Sequence, residues 1–489
     1  MQASKFAGEE SHRGQLNADV DLKWKPLGKM RVFNLYVPSS LLALALCDLV
    51  VLYASIICGL LASYSSIAEI YGGNGSLDAQ ALIYVSTNMM TMFAMGLHNR
   101  RHVFDLAGVI IRLVVALGLG VVTLTVVFYV LPAIRIWISA LLPATVIALV
   151  SLSTVRGLFR YIAAFSTLRR RILVLGAGEQ ARRLEIVERS VAPAGFTCAG
   201  FVAMDERKIA VDRNRVLAGG SVESLCESVA ADEIVLALDE RRGVVPVNAL
   251  LPLRLRGVRI TDVSTFIERE VGKLEIDLMR PSMLFLSDGG TRGRIERVAK
   301  RGFDIAASLA LLLVTLPVTI PTVVAMYAED RGPIFYRQER VGFGNRVFSL
   351  LKFRSMHADA ERDGIARWAA VRDSRVTRVG RVIRQLRIDE IPQVYNVLRG
   401  EMSFVGPRPE RPTIVKELAA EIPFYNYRHT VKPGITGWAQ INYPYGASIR
   451  DAREKLMYDL YYVKNFSLFF DCIVLLQTLR VVLWPQGVR

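Results

Sequence analysis

The sequence predicts a membrane-embedded α-helical block at the N-terminus, a small α/β domain in the middle and a membrane-associated α+β domain at the C-terminus. The 489 residues are 52% hydrophobic, with a mean hydropathy of +0.32, and long uncharged apolar runs collect in the first third of the chain. Short strand-like and helix-like segments alternate after residue 170. The apolar content excludes an intrinsically disordered chain, which cannot bury enough apolar surface to fold.

The charge balance and the rare residue types narrow the classes of partner. Lys and Arg total 61 against 45 Asp and Glu, a net charge of +16, which favours anionic lipids or phosphates as partners. Nucleic acid is not predicted as a partner, because the sequence has no nucleic-acid-binding motif. The five cysteines and five histidines show no metal-ligand spacing, which excludes a zinc site or a disulfide framework. The polar start predicts a cytoplasmic N-terminal segment over 1–36 instead of a cleavable signal peptide.

Four uncharged runs predict a four-helix transmembrane block over residues 37–160. Each run is close to the roughly 20 residues that cross a bilayer as a helix. The runs are Leu49–Ala68, Gln80–Leu97, Leu113–Ile134 and Ile136–Val155. Arg100, Arg101 and Arg112 follow the second run, and a cluster of arginines follows the fourth. Basic loops stay in the cytoplasm, so both ends of the block should face it. The alternative is a set of buried core helices in a soluble protein.

Residues 170–280 have the pattern of a Rossmann-like α/β domain. A strand-like run, Ile172–Leu175, leads into a glycine turn at Gly176 and Gly178 and then into a helix-like stretch. Backbone N–H groups at such a helix start hold the phosphates of a dinucleotide, so these two glycines are candidate cofactor-binding residues. An acidic ribose partner should follow after about 20 residues, whereas Asp205 follows Gly176 by 29. The alternative is a structural or regulatory domain that uses tight turns.

A fifth apolar run, Ile305–Ala328, predicts a re-entrant helix over 305–328. Its 24 residues are long enough to span a bilayer as a helix. However, Pro317 and Pro321 lie inside the run, and proline breaks or kinks a helix. Basic residues flank the run on both sides, so a segment that enters the membrane and returns keeps both flanks in the cytoplasm.

An arginine-rich segment ends in two adjacent carboxylates, Asp389 and Glu390. Arginines occur at every third position before the pair, at 375, 378, 381, 384 and 387, which on one helix forms a slowly rotating basic stripe. Close to so many cations, both carboxylates should stay ionised, with lowered pKa values. An ionised aspartate is a nucleophile towards phosphorus or a ligand for Mg²⁺. The alternative is a solvated surface helix with salt bridges.

Two shorter patterns supply further cations. In Gly406-Pro-Arg408-Pro409 the prolines fix the backbone around Arg408, which suits bidentate phosphate binding. Lys352 and Arg354 alternate in a strand-like segment and should lie on one face of it. Taken singly, each pattern is also compatible with a structural role.

From Arg297 to Trp484 the chain resembles the bacterial sugar transferase family. The N-terminal block and the Rossmann-like domain resemble the large multi-span exopolysaccharide branch of that family, and Arg31–Pro38 resembles its exosortase-associated members. The matching motifs are Lys300-Arg301-x-x-Asp304, Gly332–Gly342, Lys352–Met356, Asp389-Glu-Ile-Pro-Gln393, Val405–Pro409 and Pro433-Gly-Ile-Thr-Gly-Trp438.

The resemblance implies that residues 295–489 form a sugar transferase catalytic domain. Such an enzyme would transfer a sugar 1-phosphate from a UDP-sugar to undecaprenyl phosphate, releasing UMP, as the first step of exopolysaccharide biosynthesis. It implies Asp389 as the nucleophile that forms a phosphosugar–aspartyl intermediate, and Glu390 as a residue that places Mg²⁺ or orients Asp389. It also implies a multi-pass protein of the bacterial inner (cytoplasmic) membrane, in contact with membrane lipids, whose catalytic domain faces the cytoplasm. It leaves open which sugar is transferred and whether the protein is a homo-oligomer.

In this reading the substrate phosphates are bound by Lys352, Arg354, Arg384 and Arg408, and the re-entrant helix is broken at Pro317 or Pro321. Two other functions are compatible with parts of the chain. A membrane-anchored nucleotide-sugar dehydratase or epimerase would need a Tyr-x-x-x-Lys pair, yet residues 170–280 contain no tyrosine. A non-enzymatic scaffold for polysaccharide export would release no UMP.

Overall fold

A computed structural model shows a helical N-terminal block, an α/β region with a parallel sheet, and a C-terminal region of short sheets and helices. The residues it describes are 29–32, 35–63, 77–98, 106–164, 169–190, 195–204, 208–240, 245–279, 293–357, 375–444, 446 and 448–483. Most of the predicted cytoplasmic segment 1–36 lies outside these ranges, as do Arg100, Arg101 and Asp205. The described part of that segment belongs to an antiparallel hairpin of β1 (Lys29–Val32) and β2 (Leu35–Pro38).

The N-terminal block is helical, as predicted. Its helices are α1 (Ser39–Ser63), α2 (Leu77–Ala94), α3 (Leu106–Val130) and α4 (Ile138–Ala164). Helix α1 packs mainly against α4, and α2 packs against α3, around one shared apolar core. In the described part of the chain, the helices long and apolar enough to cross a membrane are Ser40–Ser63, Leu106–Val130, Ile138–Tyr161 and Arg294–Glu329. Helix α2 is therefore not among them.

Helices α1 and α4 extend past the charges at which the uncharged runs stop. Asp48 lies inside α1 and is fully buried. Its Oδ2 atom is 2.6 Å from Nη2 of Arg156, inside α4, and 2.9 Å from Nε2 of His98. The carboxylate is thus paired within the bundle, which offsets its desolvation and lets both helices continue through an apolar environment.

The middle domain is built around a five-stranded parallel sheet, which confirms the predicted α/β class. Its strands are β3 (Arg170–Leu175), β4 (Phe196–Val202), β5 (Val216–Leu217), β6 (Glu233–Leu236) and β7 (Arg259–Asp262), in the spatial order β5-β4-β3-β6-β7. Helices cover both faces: α5 (Glu179–Ser190) and α8 (Val263–Val271) on one, α6 (Val222–Ser228) and α7 (Val247–Leu255) on the other.

The C-terminal domain mixes short sheets with helices. It begins with α9 (Arg294–Glu329), which leads into an antiparallel hairpin of β8 (Phe335–Val341) and β9 (Val347–Phe353). The remaining elements are α10 (Arg378–Gln385), a 3₁₀ helix (Ile388–Gln393), α11 (Val394–Arg399), β10 (Ser403–Val405), α12 (Pro412–Glu421), a 3₁₀ helix (Tyr425–Thr430), β11 (Gly434–Thr436), α13 (Trp438–Asn442), α14 (Ile449–Asn465) and α15 (Leu468–Leu483).

Helix α9 runs through Pro317 and Pro321 without interruption, so neither proline ends the helix as the sequence predicted. It contacts the C-terminal domain through both of its ends. Near its start, the Arg301 guanidinium donates to the carbonyl oxygens of Val397 and Leu398, each at 2.6 Å. Near its end, Met326 packs in an apolar cluster with Phe353. Only 6% of its most apolar stretch is buried within the protein. That much bare apolar surface is stable only in a bilayer or under a partner.

The middle domain also contacts the C-terminal domain directly. The Trp438 indole donates to the carbonyl oxygen of Gly272 at 2.8 Å, and Lys464 pairs with the buried Glu268 at 2.7 Å. Leu274 and Ile276, within the predicted middle domain, are buried in the apolar core of the C-terminal domain. Leu278, by contrast, packs against the core of the middle domain. The packing boundary between the two domains therefore lies within residues 272–278, earlier than the residue 280 predicted from the sequence.

Candidate active site

The arginine-rich segment does not form one continuous basic helix. Helix α10 ends at Gln385, and Arg387 adopts a left-handed conformation with φ of +59°. That turn sends the acidic pair into the following 3₁₀ helix, away from the axis of α10. Arg378 and Arg381 are exposed, whereas Arg384 points inward. The predicted stripe of five arginines is therefore wrong: Arg375 precedes α10, three arginines lie in it, and the positive φ of Arg387 redirects the chain after them.

Glu390 is surrounded by cations. Its Oε1 atom accepts from Nζ of Lys352 at 3.0 Å and from Nη2 of Arg408 at 2.9 Å. Nη1 of Arg387 is 3.7 Å from the same oxygen. Burial alone would raise the pKa of Glu390, but these three positive charges outweigh burial and hold its pKa well below its usual range. The lowered pKa predicted for Glu390 is thus confirmed.

The pKa of Asp389 is shifted in the opposite direction. Burial raises its pKa above the usual aspartate value, and the neighbouring Glu390 charge raises it further, although Lys352 partly offsets both effects. The prediction that both carboxylates have lowered pKa values is therefore wrong for Asp389. Among the described residues, no hydrogen bond or ion pair involves its carboxylate. Asp389 thus presents oxygens that are not engaged by those side chains.

Arg408 is held in place from behind by a buried charge network. Arg428 donates to the backbone carbonyl oxygen of Arg408 at 2.8 Å and to the hydroxyl of Tyr425 at 2.7 Å. Nη2 of Arg428 is also 2.8 Å from the carboxylate of Asp459, and burial raises the pKa of Asp459 to about 6. Sequence reasoning missed Arg428 and Asp459, because they lie outside the motifs and meet only through the packing of α14 on the 3₁₀ helix before β11.

The other two predicted phosphate-binding cations have structural partners. Nε of Arg384 donates to the hydroxyl of Ser355 at 2.7 Å. Nη2 of Arg354 donates to the carbonyl oxygen of Asp330 at 3.0 Å, and its Nη1 is 3.3 Å from the Asp330 carboxylate. Arg354 therefore fastens the end of α9 and does not contact the acidic pair.

One cleft of about 2010 Å³ brings the predicted catalytic and phosphate-binding residues together. Its lining includes Lys352, Arg354, Arg384, Asp389, Glu390 and Arg408. Residues of α9, α15 and the N-terminal block also line it. The site is thus a paired carboxylate among cations, in a cleft that adjoins an apolar helix.

The glycine turn of the middle domain is already engaged by a side chain of its own domain. The Asp239 carboxylate accepts the backbone N–H of Glu179 at 3.2 Å and that of Gln180 at 3.1 Å. A Cβ at Gly178 would lie 1.8 Å from the same carboxylate, and Gly176 has φ of +124°. The amides predicted to bind a cofactor phosphate therefore bind Asp239, and Gly178 makes room for that contact, whereas Gly176 allows close approach of the Ala237 backbone.

The carboxylates suit a metal only together with a phosphorylated ligand. Among the residues the structure describes, no group of three or more His, Cys, Asp or Glu side chains is arranged to hold a metal ion. Asp389 and Glu390 supply two neighbouring carboxylates, and Mg²⁺ commonly uses one or two carboxylates together with phosphate oxygens. The pair therefore fits Mg²⁺ that arrives with a diphosphate.

The site is thus a cation-lined cleft with a paired carboxylate, beside helices apolar enough to cross a membrane. A family profile described as bacterial sugar transferase matches residues 295–485, the stretch that contains this site. The chain is also 39% identical over 196 residues to the sugar transferase EpsL of Bacillus subtilis (strain 168), a match that covers 39% of this chain and 91% of the relative. The chain therefore belongs to the bacterial sugar transferase family, as its motifs predicted.

Two longer relatives are also similar to the C-terminal part. The UDP-N-acetylgalactosamine-undecaprenyl-phosphate N-acetylgalactosaminephosphotransferase of Aeromonas hydrophila is 43% identical over 235 residues, covering 48% of this chain and 55% of that protein. The undecaprenyl-phosphate glucose phosphotransferase of Komagataeibacter xylinus is 38% identical over 237 residues, covering 46% and 44% respectively. The chain thus spans about half the length of these curated relatives.

Proposed function

We propose that this protein transfers a sugar 1-phosphate from a UDP-sugar to undecaprenyl phosphate and releases UMP, as the initiating step of exopolysaccharide biosynthesis. The observation that carries the proposal is the Asp389–Glu390 pair, enclosed by Lys352 and Arg408 in a cleft beside an apolar helix. The relatives named above support the same reaction, because their names describe phosphotransfer to undecaprenyl phosphate.

In the first step, the ionised carboxylate of Asp389 attacks the β-phosphorus of the UDP-sugar. A phosphorus–oxygen bond to Asp389 forms while the bond to the bridging oxygen breaks, and UMP leaves with the electron pair of that bond. The product is a phosphosugar–aspartyl intermediate, which divides one difficult transfer into two easier ones. Asp389 suits this role because no ion pair with another described side chain occupies its carboxylate.

In the second step, a phosphate oxygen of undecaprenyl phosphate attacks the same phosphorus. The bond to Asp389 breaks, the aspartate is regenerated, and the lipid carries a sugar diphosphate. Lys352 and Arg408 stabilise the charge that develops on the phosphorus oxygens in both steps, since fixed cations act strongly in a partly buried cleft. Arg384 faces the same cleft and contributes positive charge next to Asp389.

Mg²⁺ is part of the proposal. Asp389 and Glu390 would hold it together with the oxygens of the diphosphate. The ion would neutralise the diphosphate and the departing UMP. Glu390 also keeps Lys352 and Arg408 in position, through the two hydrogen bonds to its Oε1 atom.

We also propose that α9 enters the inner membrane and returns to the cytoplasmic face. Three observations support a return. Both ends of α9 contact the same C-terminal domain, and its middle is bare and apolar. Pro317 and Pro321 lack the N–H that a straight helix needs, which favours a bend between the two ends. The donor and acceptor could then meet at the cytoplasmic surface, where nucleotide sugars are available.

The strand order of the middle domain matches the first five strands of the doubly wound order 3-2-1-4-5-6. Counted within the domain, the order is 3-2-1-4-5, and all its strand pairs are parallel. We propose a structural or regulatory role for it, because Asp239 occupies the amides that a cofactor phosphate would need.

The proposed function is tested by incubating the full-length protein, in lipid nanodiscs, with a panel of UDP-sugars, undecaprenyl phosphate and Mg²⁺. One UDP-sugar should yield UMP and a lipid-linked sugar diphosphate. Asp389→Asn should reduce turnover by more than about a hundredfold, because an amide does not form the covalent intermediate. If no UDP-sugar yields UMP, or if Asp389→Asn retains wild-type turnover, the proposed reaction or the role of Asp389 is wrong.

A further inference from the structure

The cleft that contains the acidic pair continues into an apolar groove beside α9. One wall of this groove is a single face of α9, because its lining residues recur at helical spacing: Ala307, Ala310, Leu311, Val314 and Val318. Leu309, Leu313 and Val324 lie elsewhere on the same helix and do not line the cleft. One face of α9 therefore lines the cleft, and another face does not.

Residues of the N-terminal block also line the cleft. Met90 of α2, Met95 just after it and Arg112 of α3 line the same cleft as Asp389. The side chain of Met90 is 57% exposed, so a ligand in the groove can reach it. The turn after α2 packs closely on α15, since a Cβ added at Gly96 would lie 2.7 Å from Nη1 of Arg480. This contact fixes the position of α2 relative to the C-terminal domain.

We propose that this groove binds the polyprenyl chain of the acceptor, so that the N-terminal block forms one wall of the acceptor site. The inference rests on the proposed function. The polar end of the cleft, with Lys352 and Arg408, would bind the acceptor phosphate next to Asp389. The apolar end would bind the hydrocarbon that follows the phosphate.

The chemistry of the two ends of the cleft, one basic and one apolar, identifies the ligand. A ligand that fills both must carry a phosphate and a long apolar chain in one molecule, which is the chemistry of a polyprenyl phosphate. Its phosphorus-bound oxygen must lie within about 3–3.5 Å of the reacting phosphorus in order to attack. Bulk bilayer lipid suffices to cover the other face of α9, whereas residues of α2 and α3 line the same cleft as the groove face of α9. A chain that contacts both linings buries apolar surface on α9 and on α2 at once.

Acceptors with long and short chains distinguish loss of binding in the groove from a general loss of enzyme activity. Geranyl phosphate carries the same reacting phosphate as undecaprenyl phosphate, but its chain is too short to fill the groove. Contacts made only by the long chain should therefore affect only the long acceptor. Exchange between UMP and the UDP-sugar needs no acceptor, and it reports the first step alone.

The test substitutes Met90→Trp in the full-length protein in nanodiscs, because a bulky ring at this position should obstruct the groove. Leu82→Trp is the matched control: Leu82 is 68% exposed on the same helix and does not line the cleft. Met90→Trp should lower kcat/KM for undecaprenyl phosphate by about tenfold, or about 1.4 kcal/mol. Its kcat/KM for geranyl phosphate and its UMP exchange rate should equal those of Leu82→Trp.

A second pair on α9 gives an independent readout if a tryptophan in α2 impairs folding. Ala310→Trp should reproduce the selective loss with the long acceptor, whereas Leu313→Trp, 70% exposed and outside the cleft lining, should not. The groove assignment would be overturned if the two variants of each pair had equal kcat/KM values, or if kcat/KM fell equally for both acceptors. Bulk lipid would then be the occupant of the groove. A wild-type protein that catalyses no UMP exchange would instead overturn the proposed function, and the acceptor groove with it.

Discussion

Replacing Lys352 with methionine should move the acidic limit of activity to higher pH. Lys352 contributes the largest pKa-lowering charge on Asp389, against burial that raises that pKa. It also pairs with Glu390 at 3.0 Å, so its removal leaves more of the Glu390 charge to act on Asp389. Both effects raise the pKa of Asp389, and neither requires the backbone to move.

The direction of the shift follows from the charge that is lost. A nearby positive charge lowers the pKa of a carboxyl group, so the loss of Lys352 should raise the pKa of Asp389 further above its usual value. Only the ionised form of Asp389 attacks phosphorus. Below its pKa, each unit of increase therefore removes about nine-tenths of the active form. The activity of the variant should fall at a correspondingly higher pH than that of the wild type.

The assay is the pH dependence of kcat/KM for exchange between UMP and the UDP-sugar, from about pH 5 to 9, which reports ionisations of the free enzyme. Lys352→Arg is the matched control, because it keeps the charge and should keep the wild-type acidic limit within about half a unit. An acidic limit for Lys352→Met at or below the wild-type pH would refute the assignment of Asp389 as an ionised nucleophile whose pKa Lys352 controls.

Three further predictions test other parts of the structure. Arg428→Met should raise KM for the UDP-sugar by about tenfold, because Arg408 loses the donor that holds its carbonyl oxygen; an unchanged KM would remove Arg428 from this positioning role. A fragment that begins at residue 281 should melt below one that begins at residue 273, since it lacks the buried Leu274 and each such loss costs about 2–5 kcal/mol; equal melting temperatures in detergent would contradict the packing boundary. Cysteines placed just before and just after α9 should both react with an impermeant reagent in inverted vesicles, and neither should react in intact cells. If one cysteine reacts only in vesicles and the other only in cells, α9 crosses the membrane completely.

Local sequence patterns identified the architecture, since they reflect local chemistry. Apolar runs near bilayer length predicted a helical block, because a backbone in hydrocarbon must satisfy its own hydrogen bonds. The alternation after residue 170 predicted a parallel α/β domain for a similar reason, as short apolar strands must be covered by helices on both faces. Helix limits were less accurate, because a charge such as Asp48 ends a run in the sequence and yet lies inside α1, paired with Arg156.

The sequence by itself also determined the family and six of the residues that line the cleft, because motif residues and their order do not depend on packing. Tertiary structure decided how those residues act. Asp389 and Glu390 are adjacent in the chain, yet one pKa is raised and the other lowered, because Glu390 contacts Lys352 and Arg408 from distant segments while Asp389 does not. The support that Arg428 gives Arg408, and the groove between α9 and α2, likewise join segments far apart in the chain. Burial and charge pairing depend on which segments are in contact in the folded protein, and the linear sequence does not state those contacts directly.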